Sequence, residues 1–212
     1  SAGYVSNRFV NGGVLTDTNP FPAADGCTDT VAQTTRCLSN TQLATEVFNY
    51  VTANGLPTGM GTLYLLLTPQ NIGSCFDSSS SCAFTSYCGY HGYFLWNGKS
   101  VLYSVMPYDG YTTSCNMGIY PNNDVGGDSE VGVLTHELEE TNTDPYLNAW
   151  YDSTGYENGD ECAWIFGTLG LSGGKANITV GTKNFLVQEN WLQVPNGGQC
   201  LQTYASAPVA PP

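Results

Sequence analysis

The sequence predicts a single α+β domain: a small mixed sheet with a helix packed on it, and long loops braced by disulfides. Three observations lead there. Two stretches, 39–54 and 127–141, repeat apolar residues at helical spacing. Several short apolar runs are cut off by Pro, Gly or Asn-Gly, as strands are. Eight cysteines are scattered through 212 residues without a CxxC pair, which suits four disulfides better than thiolate zinc or redox chemistry.

Residues 1–38, rich in Gly, Pro, Asn and Thr, read as irregular structure tied down by Cys27 and Cys37. The helix over 39–54 has Ser39 or Asn40 as its cap, and Leu43, Val47, Tyr50 and Val51 on one face. Gly55-Leu56-Pro57 ends it. Residues 62–68 form a buried strand stopped by Pro69, and 71–92 a cysteine-bearing loop. Residues 93–96 and 101–106 make a hairpin around Asn97-Gly98, because Asn-Gly accepts the positive φ angles of a tight two-residue turn. Residues 107–127 return to loop. The second helix follows over 127–141, with Val131, Leu134 and Leu138 on one stripe. A second hairpin is expected at 176–180 and 183–187 around Gly181-Thr182. Residues 1–205 thus read as one domain, and the Pro/Ala-rich 206–212 as a tail.

Composition narrows the setting. Hydrophobic residues make up 41% of the chain, enough for a core. The longest apolar run, Leu63 to Leu67, is far too short to span a bilayer. Ser1 is not followed by a basic and then an apolar segment, so any signal peptide is expected to have been removed. The Asn177-Ile178-Thr179 sequon permits glycosylation in a eukaryotic source. Together with the cysteines, these features point to a secreted, extracellular protein. Five basic residues against 18 acidic ones give a net charge of −13, which repels nucleic acid and anionic membranes. Neither is an expected partner. The oligomeric state is not determined by the sequence.

The second helix carries the candidate chemistry, in His136-Glu137-Leu138-Glu139-Glu140. His136 and Glu140 lie four residues apart, one above the other on one helix face, and away from the Val131/Leu134/Leu138 stripe. This is the spacing with which HExxH zinc hydrolases hold two corners of a tetrahedron. A carboxylate replaces the second histidine and is an acceptable zinc ligand. Glu137 occupies the place of the general base. The competing reading is a solvated charged helix face. Against it, no Lys or Arg occurs between Lys99 and Lys175, while the stretch 124–161 holds 11 of the 18 acids. Carboxylates gathered without cations require protons, solvent or a metal. For the third ligand Glu157 comes first, 17 residues after Glu140, then Asp144, then His91 and Asp160. His91 reads more readily as a structural loop histidine, and Asp160 as a possible turn cap. Calcium at a second site is open, since "ENGDE" offers oxygens, although the EF-hand pattern is absent.

Four motifs give the sequence a resemblance: "PNNDVG" at 121–126, "CGYHG" at 88–92, Thr143-Asp144-Pro145, and "ENGDEC" ending at Cys162. They resemble the phosphate-induced, EXORDIUM-like extracellular proteins, over roughly residues 60–200. Microbial members look closer than plant ones, through the His-Glu pair and "NAWYD". The resemblance implies a secreted, disulfide-bonded protein associated with cell walls or growth, so the partner expected is an extracellular polypeptide or a cell-wall substrate. Two readings follow. The first is a secreted zinc-dependent hydrolase, a metallopeptidase with His136, Glu140 and Glu157 on zinc and Glu137 as base, its fold zinc-peptidase-like. The alternative is a non-catalytic extracellular wall- or carbohydrate-binding protein. A metal-free glycosidase using two carboxylates has only the surplus of acids behind it.

Overall fold

A computed structural model describes residues 9–31, 35–76, 79–110, 113–194 and 197–202; the expected tail at 206–212 lies outside them. The chain order is β1 (Arg36–Ser39), α1 (Asn40–Ala53), β2 (Leu63–Leu67), β3 (Ile72–Cys75), β4 (Tyr90–Trp96), β5 (Lys99–Met106), α2 (Val125–Thr143), a 3-10 turn at Asp160–Cys162, and four short strands. These are β6 (Ile178–Val180), β7 (Lys183–Phe185), β8 (Asn190–Val194) and β9 (Gly197–Leu201). The central sheet has the order β2-β5-β4, with β2 parallel and β4 antiparallel to β5. It is small and mixed, as expected. A parallel β1-β3 pair and two hairpins, β6-β7 and β8-β9, stand beside it.

Helix α1 is set up locally. The Ser39 hydroxyl accepts the Gln42 N–H, and the Gln42 side chain takes the Ser39 N–H, a reciprocal capping box. Leu43, Val47 and Val51 are buried from it against Leu38, Ile72, Val101 and Val105. Each such side chain contributes about 1.5–3 kcal/mol by leaving water. The Asn97-Gly98 turn closes the β4-β5 hairpin, both residues in the left-handed region.

Alternation along β4 and β5 decides which side chains meet which helix. Val101, Tyr103 and Val105 face the α1 core, and Tyr90, paired with Val105, joins them. The intervening residues Ser104 and Met106 therefore face the other way. Met106 packs with Val133 of α2 and with Leu186. His91 pairs with Ser104 in the register, so it too lies on the α2 side.

The 71–92 segment departs from the expected loop, since it contains β3 and the first residues of β4. His91 is accordingly a strand residue. The eight cysteines form four disulfides: Cys27–Cys37, Cys75–Cys82, Cys88–Cys115 and Cys162–Cys200. The last two anchor segments next to His91 and Asp160. The sequon asparagine is tied into the fold by its side chain. Asn177 Nδ2 donates to the Phe166 and Val187 carbonyls at 2.8 and 2.6 Å, and its Oδ1 accepts the Val187 N–H at 3.0 Å. A glycan on that nitrogen would displace this half-buried clasp, so the folded chain disfavours it. Among the described residues, no helix is long and apolar enough to cross a membrane.

Candidate metal centre and cleft

Helix α2 starts from the "PNNDVGGD" stretch. Asp124 caps it by accepting the Gly127 N–H at 3.0 Å. Buried Asp128 holds the preceding turn through the Asn122 N–H and side-chain amide at 2.9 and 2.6 Å. The helix then packs on β4 and β5 with an unexpected face. Val131, Leu134 and Leu138 are only half-buried, whereas Gly132, Val133, Glu137, Glu140 and Thr141 are buried. The face bearing HELEE is the inner one, which removes the solvated-helix reading. Burying carboxylates costs several kcal/mol each unless they are paired or protonated.

What they meet comes from two other segments. Strand β4 supplies His91, whose Nδ1 lies 3.3 Å from Glu137 Oε2 and 3.9 Å from Glu140 Oε2. The 157–160 loop supplies Asp160, whose Oδ1 lies 3.6 Å from His136 Nε2. That nitrogen is 3.0 Å from Glu140 Oε1, which also accepts the Asp160 N–H at 3.1 Å. Two glycines permit this approach. A Cβ on Gly159 would come within 2.9 Å of both Glu140 Oε1 and His136 Nδ1, and one on Gly89 within 2.8 Å of Val133. Gln188, buried, donates to the Gly159 carbonyl at 2.8 Å and pins the loop.

Charge accumulates here as the sequence suggested. Burial lowers the His136 pKa, but Glu140, Glu137 and Asp160 outweigh it and lift the imidazole to about 10. His91 behaves likewise, burial opposed by Glu137 and Glu157, and reaches about 9. Burial, then Glu140, raises Glu157 to about 8, and burial raises Glu137. The histidines thus hold protons where a metal could stand.

The donors fit a metal. Bonds of about 2.0–2.1 Å around a tetrahedral zinc place neighbouring donors about 3.3 Å apart. His136 Nε2 to Glu140 Oε1 and to Asp160 Oδ1, at 3.0 and 3.6 Å, bracket that edge. The three donor atoms all lie within 4.8 Å of one another. His136 and Glu140 are therefore brought together as expected, and the third residue beside them is Asp160. Glu157, the first choice from spacing, sits instead near His91, its Oε1 3.8 Å from Nε2 and buried without a hydrogen-bond partner. Asp144 has a different task. Its Oδ1 accepts the Asn148 and Ala149 N–H groups at 2.7 and 2.9 Å, tying down the chain after the helix.

The cluster forms the floor of a cleft of about 410 Å3. Phe76, Tyr87, Leu147 and Trp164 stand among its walls. Trp164 and Leu147, both half-exposed at the rim, have φ angles of 63° and 55°. Large side chains seldom adopt that region, at a cost of roughly 1–2 kcal/mol each.

Two carboxyls, buried Asp109 and half-buried Glu130, were given no role by the sequence reading. Asp109 is fully buried with neither oxygen hydrogen-bonded, beside the Cys88–Cys115 bridge, and Glu130 has one orphaned oxygen. Burial raises them to about 9 and about 8. In sequence, Asp109 sits in Pro107-Tyr108-Asp109-Gly110, which reads as a turn. Its only signal was membership in the stretch without basic residues.

A family model described as "Phosphate-induced protein 1 conserved region" matches residues 24–186. Two curated relatives come from Arabidopsis thaliana. Protein EXORDIUM-like 3 is 29% identical over 62% of this chain and 47% of its own length. Protein EXORDIUM-like 5 is 31% identical over 65% of this chain and 46% of its own length. The chain thus spans about half the length of the curated relatives it matches. No solved structure matches it, and the likeness to zinc peptidases rests on the helix motif alone. The matches are to EXORDIUM-like proteins, which fits the alternative reading of the sequence better than the peptidase.

Proposed function

The chain belongs to the phosphate-induced protein 1 family, and from that premise we propose that it is an extracellular EXORDIUM-like wall protein whose cleft binds a glycan above a divalent-metal centre. The observation that carries this reading is the make-up of the cleft. Trp164 and Phe76, 45% and 47% exposed, offer flat apolar faces at the walls, while the floor is carboxylate and imidazole. Sugar rings present apolar faces for stacking and hydroxyls for such acceptors. Four disulfides suit an oxidising, extracellular setting.

Zinc is the metal proposed for the floor, held by His136, Glu140 and Asp160, with Glu157 displaced from the ligand set. Calcium at a second site through "ENGDE" finds less support, because Asp160 faces an imidazole nitrogen, a donor typical of zinc. Titration calorimetry with soluble β-1,3-glucan, xylan and chito-oligosaccharide tests the binding reading. Trp164→Ala and Phe76→Ala should each weaken the bound glycan by about tenfold or more. Failure of all three polymers to bind the wild type at millimolar concentration refutes it.

The position of Glu137 favours a second reading, a metal-dependent hydrolase. Its carboxyl follows His136 directly, is 3% exposed and opens on the same cleft. Bound zinc would supply Lewis acidity and a water of lowered pKa. Within such a reaction, Glu137 would accept a proton at a carboxyl oxygen, and the Phe76 and Trp164 walls would exclude bulk water. Glu137→Gln separates the readings: a hydrolase loses turnover of a casein or glucan substrate, whereas a binding protein keeps its glycan affinity.

A further inference from the structure

The proposed zinc site uses His136, Glu140 and Asp160, and leaves the other half of the cluster without an account. His91 Nε2 lies 3.1 Å from the Asp144 carbonyl oxygen. A carbonyl only accepts, so Nε2 carries the ring proton, and in the neutral ring the lone pair is on Nδ1. Nδ1 faces Glu137 Oε2 at 3.3 Å and Glu140 Oε2 at 3.9 Å. All three side chains are at least 95% buried. A lone pair and two carboxylate oxygens repel at these distances unless a cation lies among them, either a proton or a metal.

Three features favour a metal. Anchoring of the non-ligating nitrogen by a backbone carbonyl is the usual way a ligating histidine is oriented. Next, Glu140 turns its two oxygens to different partners, Oε1 to His136 and Oε2 to His91. One carboxylate can therefore bridge two ions about 3.5–4 Å apart, the separation of two-metal sites. Finally, the cleft floor carries four carboxylates, Glu137, Glu140, Glu157 and Asp160, and no Lys or Arg occurs between Lys99 and Lys175. With all four ionised, one dication leaves two negative charges on the cleft floor, and two dications leave none.

We propose that the cleft holds two first-row divalent cations bridged by Glu140, the second ion bound by His91 Nδ1, Glu137 Oε2 and Glu140 Oε2. This rests on the metal centre proposed above and extends it. Nitrogen and carboxylate donors select zinc or manganese over calcium. Glu137 then becomes a ligand in place of the proton acceptor of the hydrolase reading.

The test uses the full chain, stripped with chelator, loaded with ZnCl2 or MnCl2 and desalted. Elemental analysis should give about two ions per wild-type chain, about one in His91→Ala, about one in His136→Ala, and close to none in the double variant. Electron paramagnetic resonance of the manganese-loaded wild type needs no variant and covers the case in which His91→Ala does not fold. Two bridged ions should give a broad exchange-coupled spectrum. One ion per chain with an isolated six-line spectrum, lost in His136→Ala, overturns the second site and leaves the first: a proton then occupies the His91 pocket. Absence of any bound ion overturns both.

Discussion

Asp109 makes the stability of this protein depend on pH in a direction opposite to acid denaturation. Its carboxyl is fully buried against the Cys88–Cys115 bridge with no hydrogen bond to either oxygen, and its pKa rises from 3.8 to about 9. In the unfolded chain the same group ionises near 3.8. Between those values folding takes up a proton, so the contribution to stability is complete below pH 3.8 and is lost as pH rises towards 9. One proton corresponds to about 1.4 kcal/mol per pH unit. From pH 5 to pH 7 the wild type should therefore lose about 2.7 kcal/mol through this group, or roughly 5–11 °C in melting temperature for a chain of this size. Asp109→Asn keeps the shape without the titration, and should flatten the profile by that amount. Urea unfolding at pH 5, 6 and 7, with disulfides intact and chelator present to exclude metal linkage, measures it. Parallel wild-type and variant profiles would refute the burial argument. Glu130, raised to about 8 mainly by its own burial, acts with the same sign.

The remaining predictions concern the site and its supports. Gly159→Ala places a methyl 2.9 Å from Glu140 Oε1 and His136 Nδ1, and should cut zinc affinity by about 10–100-fold in calorimetry while leaving far-ultraviolet circular dichroism unchanged. Zinc must displace the proton that His136 holds up to about pH 10, so the apparent affinity should rise by about tenfold per pH unit between pH 6 and 8. A flat profile would exclude His136 as a ligand. Asn177→Ala strands the Val187 N–H and two carbonyls now served by one side chain, and should cost on the order of 3 kcal/mol by denaturant unfolding. Mass spectrometry of protein from a eukaryotic host should find that sequon unmodified.

Features governed by neighbours in sequence were legible without coordinates. The Ser39 cap and the Leu43/Val47/Val51 spacing define α1, and Asn97-Gly98 defines the β4-β5 turn. His136 and Glu140 stand together because four residues is about one helical turn. In each case a few adjacent residues determine the outcome, and no distant partner can reverse it. The wholly local part of the metal reading therefore emerged from the sequence.

Tertiary structure decided everything that depends on segments far apart in the chain. The hydrophobic stripe pointed to Val131, Leu134 and Leu138 as the inner face of α2, yet the chain buries Glu137 and Glu140. The reason lies 46 residues away, where the pleat of β4 presents His91 towards them. Spacing nominated Glu157 as third donor, but the Gly159 turn, held by Gln188, brings Asp160 to His136 instead. Asp109 falls in a stretch read as loop, and is buried beside a disulfide whose pairing no spacing reveals. Periodicity encodes which residues share a face. What that face meets is set by strand register and chain reversal, which depend on the packing of the whole chain.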